Sequence, residues 1–364
     1  MKIRNILKEL DKWSPFSLQE SYDNSGLILG HPEMEINKIL ITLDITEAII
    51  EEAIVSKYNL IISHHPIIFR GIKSLTDRTP EERILKKAIK NDIAIVALHT
   101  NLDNVHHGVN AKIGEILGLT ELNILSPMEG ELKKLVVYVP KDHLSPLRSA
   151  IFDAGAGHIG KYDMCSFGGS GHGTFRGGEG SNPFVGVQGN LHQETEIRLE
   201  TIFPAHISSS LTKAIVDNHP YEEPVYDIYN LERENPLLGA GMTGILAKPV
   251  NEKEFLAQLK EKMGAKCIRH SCYRNKPIKK VAFCGGSGSF LIDLAISSKS
   301  DIFVSGDIKY HDFFKATKNM MIADIGHFES EQFTSQLIYD FLIEKFPTFA
   351  VRISDYQSNP IKYF

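Results

Sequence analysis

Apolar residues recur along this chain in two rhythms. At the start, Ile3, Ile6, Leu7 and Leu10 lie on one side of a 3.6-residue spiral, which predicts a helix over residues 1–20. Short unbroken apolar runs then alternate with helical patterns. Residues 38–43 (Lys-Ile-Leu-Ile-Thr-Leu) read as a buried strand ending at Asp44, and 46–57 as a helix with Thr46 as its N-cap. Residues 60–63 form a second strand that runs into His64-His65-Pro66. A helix follows over 81–91, then a third strand over 93–98 that ends in His99-Thr100-Asn101-Leu102-Asp103. Apolar strands separated by helices predict an α/β fold with a largely parallel sheet covered by helices. The rhythm returns late, with strands over 280–284, 301–305 and 320–324. These lead into Gly285-Gly286-Ser287-Gly288-Ser289, Gly306-Asp307 and Gly326-His327, and the last of them opens a helix to about 344.

The middle differs. Strands over 134–139, 162–168, 194–200 and 225–229, with helices over 144–154 and 208–219, give the order βαββαβ, the ferredoxin-like arrangement. The chain therefore divides into 1–130, the N-terminal half of an α/β domain; 131–232, an inserted ferredoxin-like α+β domain; and 233–364, the C-terminal half. The stretch from Gly168 to Gly180 reads first as a mobile surface loop and otherwise as a binding loop.

Composition narrows the partners. The 364 residues are 42% hydrophobic and 23% charged, with a net charge of −5, which fits a globular chain of two or three compact units. No dense Lys/Arg run with interleaved aromatics offers a nucleic-acid face. Met1-Lys2-Ile3-Arg4 passes straight into the amphipathic pattern, and no apolar run approaches membrane-spanning length, so a cytoplasmic protein with no membrane partner is expected. Cys165, Cys267, Cys272 and Cys284 lack the spacing of a closed zinc site, even with His270, and are expected to be reduced thiols.

The candidate chemistry collects just after strands, where open α/β sheets bind ligands. His64 and His65 offer two imidazoles, Asp103 a carboxylate, and His327 and Glu331 share one face of the last helix, four residues apart. Each alone has a structural explanation in a cap or a turn. Together they are too many nitrogen and oxygen ligands for one tetrahedral ion. They suit two ions bridged by Glu331 or Asp103, zinc first, with Mn, Fe, Co or Ni also accepting this donor set. Such a pair lowers the pKa of a bound water toward ~7 and so supports hydrolysis. The Gly285–Ser289 turn is either a tight packing turn or an anion cradle. Asp307 and His311, four apart, are either a pair supporting the metals or an acid/base pair, or else a helix cap and a surface histidine.

At these residues the chain resembles the family of GTP cyclohydrolase 1 type 2 homologues, also called the NGG-interacting-factor-three-like family. The stretches that carry the likeness are Ser21-Tyr22-Asp23-Asn24-Ser25-Gly26-Leu27, Ser63-His64-His65-Pro66, His99–Asp103, Gly285–Gly288, Ser305-Gly306-Asp307 with His311, and Gly326-His327 with Glu331. The resemblance implies a two-metal site with His64, His65, Asp103, His327 and Glu331 as ligands. It also implies a homohexamer, an insert similar to PII and CutA-type domains, and hydrolytic opening of the guanine ring of GTP. Glu331 or His311 would then shuttle protons. Asn24, His99, Thr100, Gly286, Ser287 and Asp307 are expected to bind a nucleotide or related small-molecule substrate. The rival expectation is a regulatory or metal-sensing hexamer whose insert binds an effector or partner.

Overall fold

The computed structural model describes residues 1–364. It divides into two compact units, Met1–Pro127 with Pro236–Phe364, and Met128–Asn235. The strands of the first half are β1 (Gly26–Leu29), β2 (Lys38–Thr42), β3 (Leu60–Ser63), β4 (Ala94–Ala97) and β5 (Leu119–Pro127). The smaller unit holds β6 (Leu132–Pro140), β7 (Phe167–Phe175), β8 (His192–Pro204) and β9 (Tyr226–Asn230). The second half adds β10 (Gly239–Val250), β11 (Arg269–His270), β12 (Ile278–Ser287), β13 (Ile302–Gly306), β14 (Met321–Asp324) and β15 (Ala350–Ile353).

The larger unit is built on two sheets rather than one. Strand order is β1-β4-β3-β2-β15 in the first and β11-β14-β13-β12-β10-β5 in the second. Both have parallel centres: β15, β2, β3 and β4 in one, β12, β13 and β14 in the other. Both have antiparallel margins, formed by β1, by β10 with β5, and by β11. The long β5–β10 pair carries no continuous apolar run, because β5 leaves much of its length open to solvent, as an antiparallel margin can. Its register joins Pro127 to Gly239, so the chain leaves for the smaller unit and returns at neighbouring backbone positions.

The parallel strands are apolar because both their faces are covered. Every residue of β3, β4 and β14 is buried. Leu40, Ile61 and Ile95 pack with Ile49, Ile50 and Ala53 of the helix Glu47–Ser56 and with Ile84, Leu85 and Ala88 of the helix Pro80–Lys90. These helices start at Thr46 and Thr79, whose side chains accept from Ile49 N and Glu82 N, and Pro80 stands where a missing N–H costs nothing. The first helix stops at Trp13, ahead of Pro15, instead of running to residue 20. The last helical stretch is broken into His327–Glu331 and Thr334–Lys345.

In the smaller unit the sheet order is β7-β8-β6-β9, all antiparallel. The helices Leu144–Asp153 and Ser208–Asn218 cover one face through Leu147, Ile151, Leu211 and Ile215 against Leu135, Val137, Val139 and Leu199. Much of the Gly-rich stretch is not a loop. Phe167–Phe175 pairs residue for residue with Glu200–His192 along the long edge of β8. Glycine is a poor strand former, but ladder hydrogen bonds need no side chain, and the 13-residue β8 supplies a complete edge.

Candidate metal centre

The parallel register aligns β2, β3 and β4 so that Thr42, Ser63 and Ala97 are neighbours at one end of the first sheet. Asp44, His64, His65 and His99 all emerge just beyond that end. In the second sheet Ser287 pairs with Gly306, and Ser305 with Asp324, which brings Asp307 and His327 out together. The two sets converge. His65 Nε2 lies 3.1 Å from Glu331 Oε2, His327 Nε2 lies 3.0 Å from the same oxygen, and the two imidazole nitrogens are 3.3 Å apart. The other oxygen, Glu331 Oε1, faces His64 Nε2 at 3.7 Å, and Asp103 Oδ1 lies 3.8 Å from that nitrogen. Glu331 thus presents one oxygen to His65 and His327 and the other to His64 and Asp103, the two ligand groups that it shares.

Each histidine is anchored on its far side. Nδ1 of His64 donates to the Leu98 carbonyl at 2.7 Å. Nδ1 of His65 meets Asp44 Oδ1, that of His99 meets Asp23 Oδ1, and that of His327 meets Asp307 Oδ2, each at 2.7 Å. A backbone carbonyl or an ionised carboxylate can only accept, so Nδ1 carries the proton and a neutral ring turns the Nε2 lone pair inward. His64 Nε2 and Asp103 Oδ1 are buried without any hydrogen-bond partner. Two buried acceptors left unsatisfied are costly unless a cation completes them. The residues present therefore fit divalent ions that take nitrogen and oxygen ligands.

The electrostatics of the metal-free site agree. Burial opposes charge on His65, but its bonds to Asp44 and Glu331 outweigh that and raise its pKa to about 10. His327 is likewise lifted to about 9, against burial, by Glu331 and Asp307. Burial, then the Glu331 charge, pushes the Asp103 carboxyl up to about 7. Glu331 itself is held well below the usual range: burial opposes its charge, but the bonds with His327 and His65 and the nearby His64 imidazole overcome that cost. Protons occupy positions where a cation would be favoured.

The other expected positions divide. His99, expected as a substrate contact, joins His64 and His65 in a third potential ligand group, its ring edge-on to both at 5.3 Å. Thr100 is spent on support: its hydroxyl bonds Asp23 and accepts from Glu20 N. Asn24 braces the segment after β3 by donating to the Ile68 carbonyl at 2.7 Å. Of the two readings of the Gly-rich turn, the geometry favours packing. Its three glycine amides are already taken, Gly285 N by Asn110, Gly286 N by Ser330 and Gly288 N by Ser305. Gly286 has φ +60°, and a Cβ there would come within 2.2 Å of Glu331 Oε1. Ser287 is exposed at the end of β12. Asp307 pairs with His327 rather than His311, which stays exposed against the rings of Tyr310 and Phe314. The sequence does not mark Asp44 and Asp23 as supports; the one signal it offers is their position, at a strand end and in the loop that meets His99.

The chain matches known proteins over nearly its whole length. The Duf34/NIF3 (NGG1p interacting factor 3) family model aligns with residues 1–360. A Halalkalibacterium halodurans protein named GTP cyclohydrolase 1 type 2 homolog is 40% identical over 332 residues, covering 90% of this chain and 89% of its own. A Bacillus subtilis protein of the same name is 38% identical, covering 89% and 88%. The crystal structure of a Bacillus cereus protein related to NIF3 superposes with a TM-score of 0.86 at 34% identity, covering 100% of this chain and 99% of that one. With a family match of that extent and relatives this similar along the full chain, the protein belongs to the Duf34/NIF3 family.

Proposed function

We propose that the protein is a dinuclear metal-dependent hydrolase, acting on a nucleotide or a related heterocyclic small molecule. The observation that carries this reading is the division of Glu331, whose two oxygens face two separate groups of ligands. His65 and His327 would hold one ion, and His64 and Asp103 the other, with Glu331 bridging. Zinc is the first candidate, and Mn, Fe, Co or Ni would fit the same donors. When bound, such a pair supplies Lewis acidity and a nucleophile at neutral pH.

The chain's own residues do the rest. The anchors Asp44, Leu98 O, Asp23 and Asp307 fix ring tautomers, so that every imidazole turns Nε2 inward. The expected ligand set does not require His99. With Asp23 behind its Nδ1, it is placed to take or return a proton at Nε2, a role that neither Glu331, committed to three histidines, nor exposed His311 fills as well. Cyclohydrolase chemistry on GTP is the named version of this reading, from the name the relatives carry. The wider reading places the centre in a cytoplasmic homohexamer with a ferredoxin-like insert. Metal per chain, measured by plasma mass spectrometry on untagged protein, should be about two, with a clear loss in Glu331→Ala. Metal-loaded protein with no turnover of GTP, other nucleotides or phosphodiesters above a Glu331→Gln control would defeat the hydrolase reading.

A further inference from the structure

The last strand delivers a segment of chain to the metal centre. β15 runs parallel to β2 with Ile353 opposite Ile41, so the chain leaves it at the sheet end where Asp44, His64 and His65 emerge. Ser354 N extends the pairing to the Ile41 carbonyl at 2.8 Å, and the Ser354 hydroxyl meets Glu52 of the helix Glu47–Ser56. The segment then touches the supports of both ligand sets. Ser358 Oγ donates to Asp44 Oδ2 at 2.7 Å. Asn359 Nδ2 and the Tyr363 hydroxyl both donate to Glu329 Oε1, each at 3.3 Å. Glu329 is buried between His327 and Glu331 on the helix that carries them.

Polar contacts rather than apolar burial set the course of this segment. Tyr356 is 54% and Ile361 50% exposed, while Ser358 and Asn359 are half-buried. Asn359 is held extended by the following Pro360 and accepts from Ile361 N at 2.9 Å, which aims its amide at Glu329. Ser358 is thereby fixed beside Asp44. The two oxygens of Asp44 have separate partners, His65 Nδ1 on Oδ1 at 2.7 Å and Ser358 on Oδ2. Asp44 lies just past the end of β2 and is 37% exposed at its side chain, so packing leaves its carboxylate free to turn. A hydroxyl on the far oxygen removes that freedom and keeps Oδ1 on the imidazole. The inward atom of that imidazole, Nε2, lies 3.1 Å from Glu331. The Ser358 hydroxyl thus reaches the ligand group through the Asp44 carboxylate, from 293 positions beyond His65.

We propose that Ser358 is a positioning residue of the metal centre: its hydroxyl orients the Asp44 carboxylate, and through it the His65 imidazole, for metal. The role rests on the metal-binding reading of the site. The test uses the full chain, with zinc affinity read in competition with a chromophoric chelator and the visible absorption of bound cobalt(II) as a signature of ligand geometry. Ser358→Ala should weaken zinc binding about tenfold and change the cobalt spectrum. Ser358→Thr keeps a hydroxyl and should restore both. In an Asp44→Ala background, Ser358→Ala should cause no further loss, because no carboxylate is left to orient. The metal-free Ser358→Ala protein should melt within about 2–4 °C of wild type, the loss of one hydrogen bond. Wild-type affinity and spectrum in Ser358→Ala, with wild type holding its metal, overturn this role and leave the metal reading standing. A wild type that takes up neither zinc nor cobalt overturns both. Failure of Ser358→Thr to rescue, or an equal further loss in the Asp44→Ala background, makes the segment a general brace and overturns the role assigned to Ser358.

Discussion

Gly286→Ala is the sharpest test of how the centre is built, because its cost has two separable parts. The first is conformational. Gly286 sits at φ +60°, where an alanine is disfavoured by about 1–2 kcal/mol. The second is steric. The new Cβ would lie 2.2 Å from Glu331 Oε1, so the carboxylate would have to retreat by about 1 Å to reach ordinary contact distance. Glu331 has nowhere to go. It is 3% exposed, and its oxygens face His64, His65 and His327. Gly118 supplies the control, with φ +73° and only the flexible Lys262 Nζ within 4 Å, at 3.5 Å. Gly118→Ala should therefore lose the conformational part alone, a fall in melting temperature of roughly 2–8 °C for a unit of this size, with metal content unchanged. Gly286→Ala should match that loss in stability or exceed it. It should also lower metal per chain, since a bridging ligand displaced by an ångström can no longer serve both groups. Chemical denaturation and plasma mass spectrometry on the pair of variants read both parts. If Gly286→Ala retained the wild-type metal content, Glu331 would not be the shared ligand.

Other outcomes follow from the same geometry. Asp44→Asn should leave the fold intact but weaken metal binding by about 10–100-fold in a chelator competition, because the anchor on His65 Nδ1 keeps an acceptor oxygen but loses its charge; unchanged affinity would show that the charge is idle. Metal uptake should release protons, since His65 and His327 are raised to about 10 and about 9 in the metal-free site. Apparent affinity should then climb as pH rises from 7 to 9, and a flat profile would contradict the assigned charges. The linked stability has the opposite sign. For these raised pKa values the contribution to the metal-free fold is complete below the unfolded value of about 6.5 and is lost as pH passes through about 9 and about 10. Arg274→Met leaves Glu252 buried and unpaired, where Arg274 had bonded it at 3.1 Å, and should cost about 3–5 kcal/mol in urea unfolding with no change in metal content.

Why part of this molecule can be read from its sequence and part cannot comes down to where each residue's constraint originates. Thr46 is a helix cap because a hydroxyl beside an apolar helical pattern has one local use, and the structure bears this out at Ile49 N. The strands over β3 and β4 are legible because burial on both faces forces an unbroken apolar run, Leu60–Ile62 in one and Ala94–Ala97 in the other. β5 and β10 are not, since a margin strand with a wet face carries a diluted pattern, and those two form one antiparallel margin of the second sheet. β7 is hidden for a different reason: its strand character is imposed by the β8 edge, and its glycines argue locally for a loop.

The centre divides along the same line. His64, His65, Asp103, His327 and Glu331 stand out because unusual residue types follow strands, and the structure brings their side chains together. The anchors do not stand out. Asp44 reaches His65 from 21 positions away and Asp23 reaches His99 from 76, and an aspartate after a strand or in a turn looks ordinary in either place. The meaning of Gly286 is likewise set at a distance. It reads locally as half of a phosphate loop, yet Ser330 takes its amide, and the space a side chain would fill belongs to the Glu331 carboxylate. A glycine kept for close approach and a glycine kept for an anion look the same until the partner across the gap is known. Here the partner comes from 45 residues downstream, on the helix that carries His327.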